Sequence, residues 1–310
     1  MKYKSYTRFI GILIFVYLVS FLDFEELKNV WSSRVNLQYL LNNLLFIPLV
    51  VLLKSYRWSL ILGAQSIKLN LIDAYSIYFS SLFYGSISPG GVLGEVTKVL
   101  HLKNEIDLNT EKTTPSVIID RIFDFFIIFC IGIFCLSYFI LKNYFFSIFV
   151  LIFGFIIPFY LALIISFKYL NRTINKNLDS KKNIIFKTIF SVMVLFKKLK
   201  FSILLEAVVI TIIGQVIACI QVIYIFKILN LDFTISYVLA INSSIVLISV
   251  LPITIAGIGS RDTIVLYLFS LNNIKIEYAI LFSSLYLFVF NFGTYFFSFI
   301  SLLFKPLRIK

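Results

Sequence analysis

Two apolar stretches of this chain are each interrupted by proline, glycine and charge, at corresponding positions in its two halves. The first interruption runs from Pro89 to Glu95 and the second from Pro252 to Asp262, with an apolar segment on either side of each. At membrane depth, backbone that is not helical is tolerated only where protein or a water-filled cavity satisfies its hydrogen bonds. The matching interruptions therefore predict a binding site inside the membrane, of the kind found in transporters with inverted repeats.

The remainder of the chain has the composition of an integral membrane protein. Hydrophobic residues make up 60% of its 310 residues and charged residues 14%, whereas soluble domains carry about 25% charged residues. We predict an all-α polytopic membrane protein that forms a single integral membrane domain over residues 1–310. A span needs about 20 mostly apolar residues. The six predicted full transmembrane helices are 8–24, 37–56, 117–141, 144–167, 203–229 and 278–304.

The two interrupted stretches are predicted to be re-entrant helical hairpins. Each stretch, at about 73–102 and 235–271, is divided into pieces too short to span alone. Lysine and arginine concentrate in one set of loops, above all in the basic loop 168–202, which marks that set as cytoplasmic. Lysine and arginine fall mostly on one side of the membrane only if each hairpin returns to the side from which it entered. The first hairpin then enters from the cytoplasm and the second from outside. The prediction is an inverted-repeat-like protein of the cytoplasmic (inner) membrane with both termini cytoplasmic.

Several features are predicted to lie at the membrane surface. Trp58 ends the second span and suits the interface, and Arg57 beside it is expected to reach the cytoplasm by snorkelling. Glu206, near the start of its span, is also expected at the interface. The apolar run 183–200 is bounded by lysines and is typical of an interfacial helix. The basic loop around it either binds anionic lipid headgroups or only fixes orientation.

The chain has little to offer metal, redox or nucleic-acid chemistry. Cys130, Cys135 and Cys219 lie in apolar runs without CxxC spacing, and His101 is the only histidine. We therefore expect no disulfide framework, no metal site and no cofactor. The net charge of +13 is explained by lysines and arginines that fix orientation, so no nucleic-acid partner is expected. No nucleophile–base pair, P-loop or dinucleotide fingerprint is recognisable, and no catalytic residue is predicted.

Charged residues within apolar segments are costly, so each is a candidate for function. Asp120, Arg121 and Asp124 open the predicted span 117–141, where the aspartates share a helix face and Arg121 is placed to pair with Asp124. The trio leaves one excess negative charge, for which Lys98 or Arg261 could supply the cation. Two interpretations stay open: an ion pair that locks this helix to a neighbour, or part of a binding site.

The second glycine turn predicts an anion site at a helix N-terminus. Gly257 and Gly259 precede Ser260, a candidate N-cap, and Arg261 and Asp262 follow it. The free N–H groups and positive dipole end of such a helix bind phosphate or carboxylate. The planar fork of Arg261 also suits a phosphate. The alternative is a local Arg261–Asp262 pair that closes the turn.

The first glycine turn repeats this pattern. Gly91 and Gly94 permit a close approach of the backbone, and Glu95 and Lys98 follow at i,i+3 spacing. Glu95 either pairs with Lys98 alone or belongs to the site. The two turns would approach the midplane from opposite faces, and their helix ends would meet there.

Together these residues define a site for a lipid with an anionic head and an apolar tail. The predicted headgroup-binding residues are Arg121, Arg261, Lys98, Gly91, Gly94, Gly257, Gly259 and Ser260. The carboxylates predicted to serve ion coupling or charge pairing are Glu95, Asp120, Asp124 and Asp262. The coupling ion would be a proton or sodium.

The motifs resemble those of the flippase-like, lysylphosphatidylglycerol synthase transmembrane-region family. The resemblance rests on Arg57-Trp58, on Pro89 with Glu95 and Lys98, on Asp120-Arg121 with Asp124, and on Leu251-Pro252 with Gly257, Gly259, Arg261 and Asp262. Their order and spacing agree along essentially the whole chain. Lys98 stands where the family has arginine, and Asp120 and Asp262 stand where it has glutamate, so the sign of each charge is kept.

The resemblance implies the translocation of a charged lipid, either a polyprenyl-phosphate-linked glycan intermediate or an aminoacylated phospholipid. In multidomain relatives a soluble C-terminal domain synthesises the aminoacyl lipid. Because this chain ends at Lys310, we expect no synthase activity and a transporter rather than an enzyme. The expected partners are membrane lipids and, further, a lipid or glycan synthase.

Two alternatives stay open. The first is a membrane-embedded glycosyltransferase that uses a polyprenyl-phosphate donor, with Asp120 or Asp124 as the base. The second is a non-catalytic partner that presents the loop 168–202 to a lipid or glycan synthase.

Overall fold

The computed structural model describes residues 37–86, 88, 91–106, 110–157, 184–250 and 257–304, and these residues form helices and no strand. The helices are α1 (Leu37–Gly63), α2 (Leu71–Ser86), α3 (Val92–Ile106), α4 (Thr110–Leu141), α5 (Tyr144–Leu151), α6 (Ile184–Lys198), α7 (Phe201–Ile228), α8 (Ile235–Val250), α9 (Ser260–Ser270), α10 (Ile276–Tyr286) and α11 (Gly293–Phe304). A π-helical segment, Ile152–Ile156, extends α5, and another, Leu287–Phe292, joins α10 to α11.

Three helical segments of the described residues are long and apolar enough to cross a membrane. They are Gln38–Gly63, Phe201–Ile228 and Ile276–Ser301, the last of which runs through α10 and into α11. These segments correspond to three of the predicted spans, and they confirm an all-α membrane protein. The predicted span 117–141 lies within α4, whereas the predicted span 8–24 lies outside the described residues.

Each interrupted stretch forms two helices separated at its glycine motif. In the first half α2 and α3 pack against each other, and in the second half α8 and α9 do so. The prolines at 89 and 252 and the residues 251–256 lie outside the described residues. The predicted division of both stretches into two short helices is therefore seen on either side of each gap.

The packing interleaves the two halves. Within the first half, α1 contacts α2 and α4. Three contacts join the halves: α1 packs against α7, α4 against α8, and α2 against α11. Consequently the glycine motif after α2 and the one before α9 face a common interior. The helix predicted at 183–200 is present as α6, which packs on α4; Leu195 of α6 and Leu199 just after it are buried, and the interfacial position of this helix stays a prediction.

Gly94 allows α2 and α3 to approach each other closely. A Cβ atom placed on Gly94 would collide with the backbone oxygen of Ser81 and lie 3.0 Å from the Cα of Gly85. Both of these neighbours are backbone atoms, which cannot move aside as the end of a flexible side chain could. Only glycine therefore fits between the two helices without separating them.

We expect Gly94→Ala to lower the free energy of unfolding by about 2 kcal/mol, because overpacking a close contact costs about 1–3 kcal/mol. Gly214→Ala in α7 is the matched control, since a Cβ atom there meets no atom within 4 Å. Alanine also favours a helix over glycine by about 1 kcal/mol. Unfolding of the purified proteins in detergent measures both changes. Equal stability of the two variants would contradict the close contact of α2 with α3.

Candidate functional site

Arg57 lies at the centre of a buried group of ion pairs between α1, α4 and α7. Its Nε donates to Oδ1 of Asp120 at 2.8 Å, and its Nη1 donates to Oδ1 of Asp124 and to Oγ1 of Thr211, both at 2.7 Å. Arg57 and Asp120 are both 0% exposed. The expectation that Arg57 snorkels to the cytoplasm is therefore wrong, because two carboxylates on α4 hold its guanidinium inside.

Lys98 is a second buried cation beside Asp120. Its Nζ lies 3.6 Å from Oδ2 of Asp120 and 3.6 Å from the ring centroid of Tyr78. The hydroxyl of Tyr78 donates to the same Oδ2 at 3.1 Å. Trp58 flanks the lysine, with its ring centroid 5.7 Å from Nζ. Lys98 thus supplies one of the cations that the excess negative charge on α4 requires.

Asp124 pairs with α1, and Arg121 pairs with α3. The Nζ of Lys54 donates to Oδ2 of Asp124 at 3.1 Å, beside the bond from Arg57. The Nε of Arg121 donates to Oε1 of Glu95. The predicted pair between Arg121 and Asp124 is therefore wrong: two cations from α1 occupy Asp124, and Arg121 faces the turn before α3 instead.

These contacts form one connected series of alternating charge, which we call the ion-pair chain. In order, its members are Lys54, Asp124, Arg57, Asp120, Lys98, Glu95 and Arg121. Its two ends are partly accessible, with side chains of Lys54 and Arg121 that are 31% and 32% exposed, whereas Arg57, Asp120 and Lys98 in the middle are almost fully buried. With four cations and three carboxylates, the ion-pair chain carries one excess positive charge.

The start of α9 is capped by Asp262. Gly259 is the N-cap, with φ of +84°, and its N–H donates to Oδ2 of Asp262 at 2.8 Å. Ser260 is the first residue of α9, and its hydroxyl donates to the backbone oxygen of Gly257 at 3.2 Å. Gly257 also has a positive φ, +74°, which glycine adopts at low cost. The prediction of Ser260 as N-cap is therefore wrong, because the carboxylate three residues after Gly259 reaches back instead.

Arg261 is held by the same carboxylate. Its Nε and Nη2 donate to Oδ1 of Asp262 at 3.0 and 2.8 Å, and the hydroxyl of Ser283 on α10 donates to that oxygen as well. The guanidinium carbon lies 5.5 Å from the ring centroid of Tyr286. The local Arg261–Asp262 pair, one of the two alternatives from the sequence, is present, and Arg261 is only 1% exposed.

A cavity of about 300 Å³ lies between the two glycine motifs. Its charged lining residues, among those the structure describes, are Glu95, Arg121 and Arg261. Gly91 lines it too, with φ of +72°, and a Cβ atom there would lie 3.0 Å from Nη2 of Arg121. Glycine at this position therefore leaves room for the Arg121 side chain against the turn. The two arginines that the sequence places 140 residues apart share one cavity.

The other predicted site residues surround this cavity at different depths. Gly94 lines it, whereas Lys98, Asp120 and Asp124 lie behind Glu95 and Arg121 in the ion-pair chain. Gly257, Gly259, Ser260 and Asp262 form the turn that carries Arg261. The structure thus groups the predicted residues around one space, with three charged side chains in direct contact with it.

The contribution of α10 and α11 to the cavity is not among the features predicted from the sequence. This part of the cavity wall is formed by Tyr286, Phe290, Asn291, Thr294 and Tyr295. Phe290 and Asn291 belong to the π-helical segment, a feature that is frequent at functional sites. The available signal was the run of Asn291, Gly293 and Thr294 in an otherwise apolar span. It was weak because none of these residues is charged.

The cavity is suited to an anionic group with an apolar extension. Two arginines offer planar donors that match a phosphate, and the hydroxyls of Tyr286 and Tyr295 in the wall add further donors. Asp120 and Asp124 already accept hydrogen bonds from Arg57. In the part of the chain that the structure describes, no group of three histidine, cysteine, aspartate or glutamate side chains is arranged to hold a metal ion.

The fold and the site together define a helical membrane protein with two broken helix pairs around a charged cavity. The family model for the lysylphosphatidylglycerol synthase TM region matches residues 8–298. The chain therefore belongs to this family, which confirms the resemblance seen in its motifs and fits a lipid-related role in a membrane. No curated protein and no solved structure shows significant similarity to the chain.

Proposed function

We propose that this protein translocates an anionic lipid across the cytoplasmic membrane. The observation that carries the proposal is the cavity of about 300 Å³ that Arg121 and Arg261 both line. A phosphate headgroup would bind between these arginines, and its tail would remain among the apolar helices. The two lipids that fit are a polyprenyl-phosphate-linked glycan intermediate and an aminoacylated phospholipid, which share the anionic phosphate.

The proposed membrane arrangement explains how a headgroup could reach the cavity from either side. We propose six full spans and two re-entrant hairpins, α2–α3 from the cytoplasm and α8–α9 from outside, with both termini cytoplasmic. The arrangement is supported by the paired packing of these short helices and by the loop lysines and arginines. Both glycine motifs then lie at the tips of hairpins, where a small movement would open the cavity to one side.

The contacts of Asp120 and Asp124 favour transport over glycosyl transfer. A general base must be free to accept a proton from its substrate. Asp124 instead contacts Lys54 and Arg57, and Asp120 contacts Arg57, Lys98 and Tyr78. Neither carboxylate lines the cavity. Both therefore serve to hold cations in place rather than to act on a bound lipid.

Native mass spectrometry of the protein in nanodiscs made from cell membranes tests the proposal. We expect the wild type to retain one class of anionic lipid, and Arg121→Ala and Arg261→Ala each to lose it. Lys227→Ala is the matched control, because it removes an exposed cation on α7 that lies outside the cavity. Retention of the same bulk phospholipids by all four proteins would contradict a headgroup site and favour a partner of a lipid or glycan synthase.

A further inference from the structure

The two arginines of the cavity are held in very different ways. Asp262, the partner of Arg261, is fixed by the N–H of Gly259 at 2.8 Å and by the hydroxyl of Ser283, and it belongs to the same turn as Arg261. The Arg261 side chain is 1% exposed. Arg121 is 32% exposed, and its partner Glu95 comes from another helix. Only the Arg121–Glu95 pair can therefore open without dismantling a helix N-terminus.

Glu95 has a second cation within reach. Its Oε2 lies 3.4 Å from Nζ of Lys98, which makes an ion pair, but this buried oxygen accepts no hydrogen bond. A small rotation of the carboxylate toward Lys98 would shorten this contact while breaking the bond to Arg121. Glu95 therefore has an alternative partner that keeps its charge neutralised after it leaves Arg121.

We propose that Glu95 occupies the place of the lipid phosphate on Arg121 in the lipid-free protein, and that the arriving phosphate displaces it toward Lys98. The inference rests on the proposed function and adds a step to it: headgroup binding is an exchange of one anion for another. Because the ion-pair chain carries one excess positive charge, one negative charge on the headgroup completes its balance. On release, Glu95 returns to Arg121 and competes with rebinding.

The exchange has a consequence that a purely structural Glu95 would not have. Removing the competing carboxylate must strengthen the binding of an anionic headgroup, although it removes a residue from the site. Glu95→Gln keeps the shape of the side chain and removes its charge. We expect it to bind the anionic probe about tenfold more tightly, as expected when a charge-assisted competitor is lost. Glu95→Asp, whose shorter carboxylate stays near Lys98, is expected to bind with intermediate affinity.

The test is a titration of purified protein in detergent with two anionic probes, a short-chain phosphatidylglycerol and farnesyl phosphate, which separate the phospholipid and polyprenyl sources. A phosphatidylcholine of the same chain length is the neutral probe. Glu206→Gln is the matched control: it removes a carboxylate that accepts a hydrogen bond from Tyr56 at 2.7 Å and does not line the cavity. We expect its affinity to equal that of the wild type.

Unchanged or weaker binding by folded Glu95→Gln, for the anionic probe that the wild type binds, would overturn the exchange and leave the proposed function intact. If Glu95→Gln does not fold, Glu95→Asp decides in the same way: tighter binding than the wild type supports the exchange, and equal or weaker binding overturns it. Absence of any preference of the wild type for either anionic probe over the neutral lipid would overturn the proposed function itself.

Discussion

Arg57→Ala is expected to prevent stable folding in the membrane. The substitution would leave Asp120 and Asp124 with fewer hydrogen-bond donors. The Asp120 side chain is fully buried and the Asp124 side chain is nearly so. Removing one partner of a buried ion pair costs about 3–5 kcal/mol because an uncompensated charge remains. Arg57 donates to two carboxylates and Thr211 at once, and without it Asp120 would keep only Lys98 and Tyr78 and Asp124 only Lys54. We therefore expect a loss within this range, which is comparable to the whole stability of a marginally stable domain.

Size-exclusion chromatography of a fluorescent fusion after heating measures this loss. Arg57→Lys should recover only part of the stability, because a lysine cannot reach both carboxylates with a planar fork. Lys54→Ala is the control: it removes another cation of the ion-pair chain, but one that is 31% exposed and has a single carboxylate partner. We expect Lys54→Ala to melt within a few degrees of the wild type. If Arg57→Ala did the same, the ion-pair chain would not stabilise the fold.

Arg121→Ala and Arg261→Ala are each expected to reduce lipid translocation roughly 10- to 100-fold while the fold is kept. The magnitude is that of one charge-assisted hydrogen bond to a phosphate. Without Arg121, Glu95 still has Lys98 as a partner. Without Arg261, Asp262 still accepts from Gly259 and Ser283. Each of these substitutions therefore removes the partner of one carboxylate that keeps another partner, whereas the loss of Arg57 removes a partner from two carboxylates at once.

Proteoliposomes with a fluorescent anionic lipid measure these rates, and Lys227→Ala again controls for the loss of a cation outside the cavity. Thermal melting of each variant separates loss of transport from loss of fold. Wild-type rates in both arginine variants, with wild-type melting, would exclude the cavity as the path of the headgroup.

The helices of this protein are predictable from the sequence, because long apolar runs and interruptions by glycine act locally. The segments at 37–56, 203–229 and 278–304 correspond to the helical segments long enough to span. The proximity of Glu95 to Arg261 also follows from the sequence, because each belongs to one of two similar interruptions, and these are expected to meet.

The ion pairs could not be assigned from the sequence. Spacing along one helix suggested Arg121 with Asp124, but the partners of Asp124 lie 67 and 70 residues away on α1. Arg57 next to a tryptophan at the end of an apolar run is typical of a membrane interface, so its burial was not expected. The one available signal was the excess negative charge of Asp120 and Asp124, which required a buried cation without indicating which helix would supply it.

Translocation by the wild-type protein is the most direct test of the central proposal. The protein would be reconstituted into liposomes that carry either a fluorescent phosphatidylglycerol, a fluorescent polyprenyl phosphate or a fluorescent phosphatidylcholine, and the probe accessible from outside would be quenched over time. We expect one anionic probe to cross faster than in protein-free liposomes and faster than the neutral probe. Equal rates for all three probes, no faster than in protein-free liposomes, would contradict a lipid transporter.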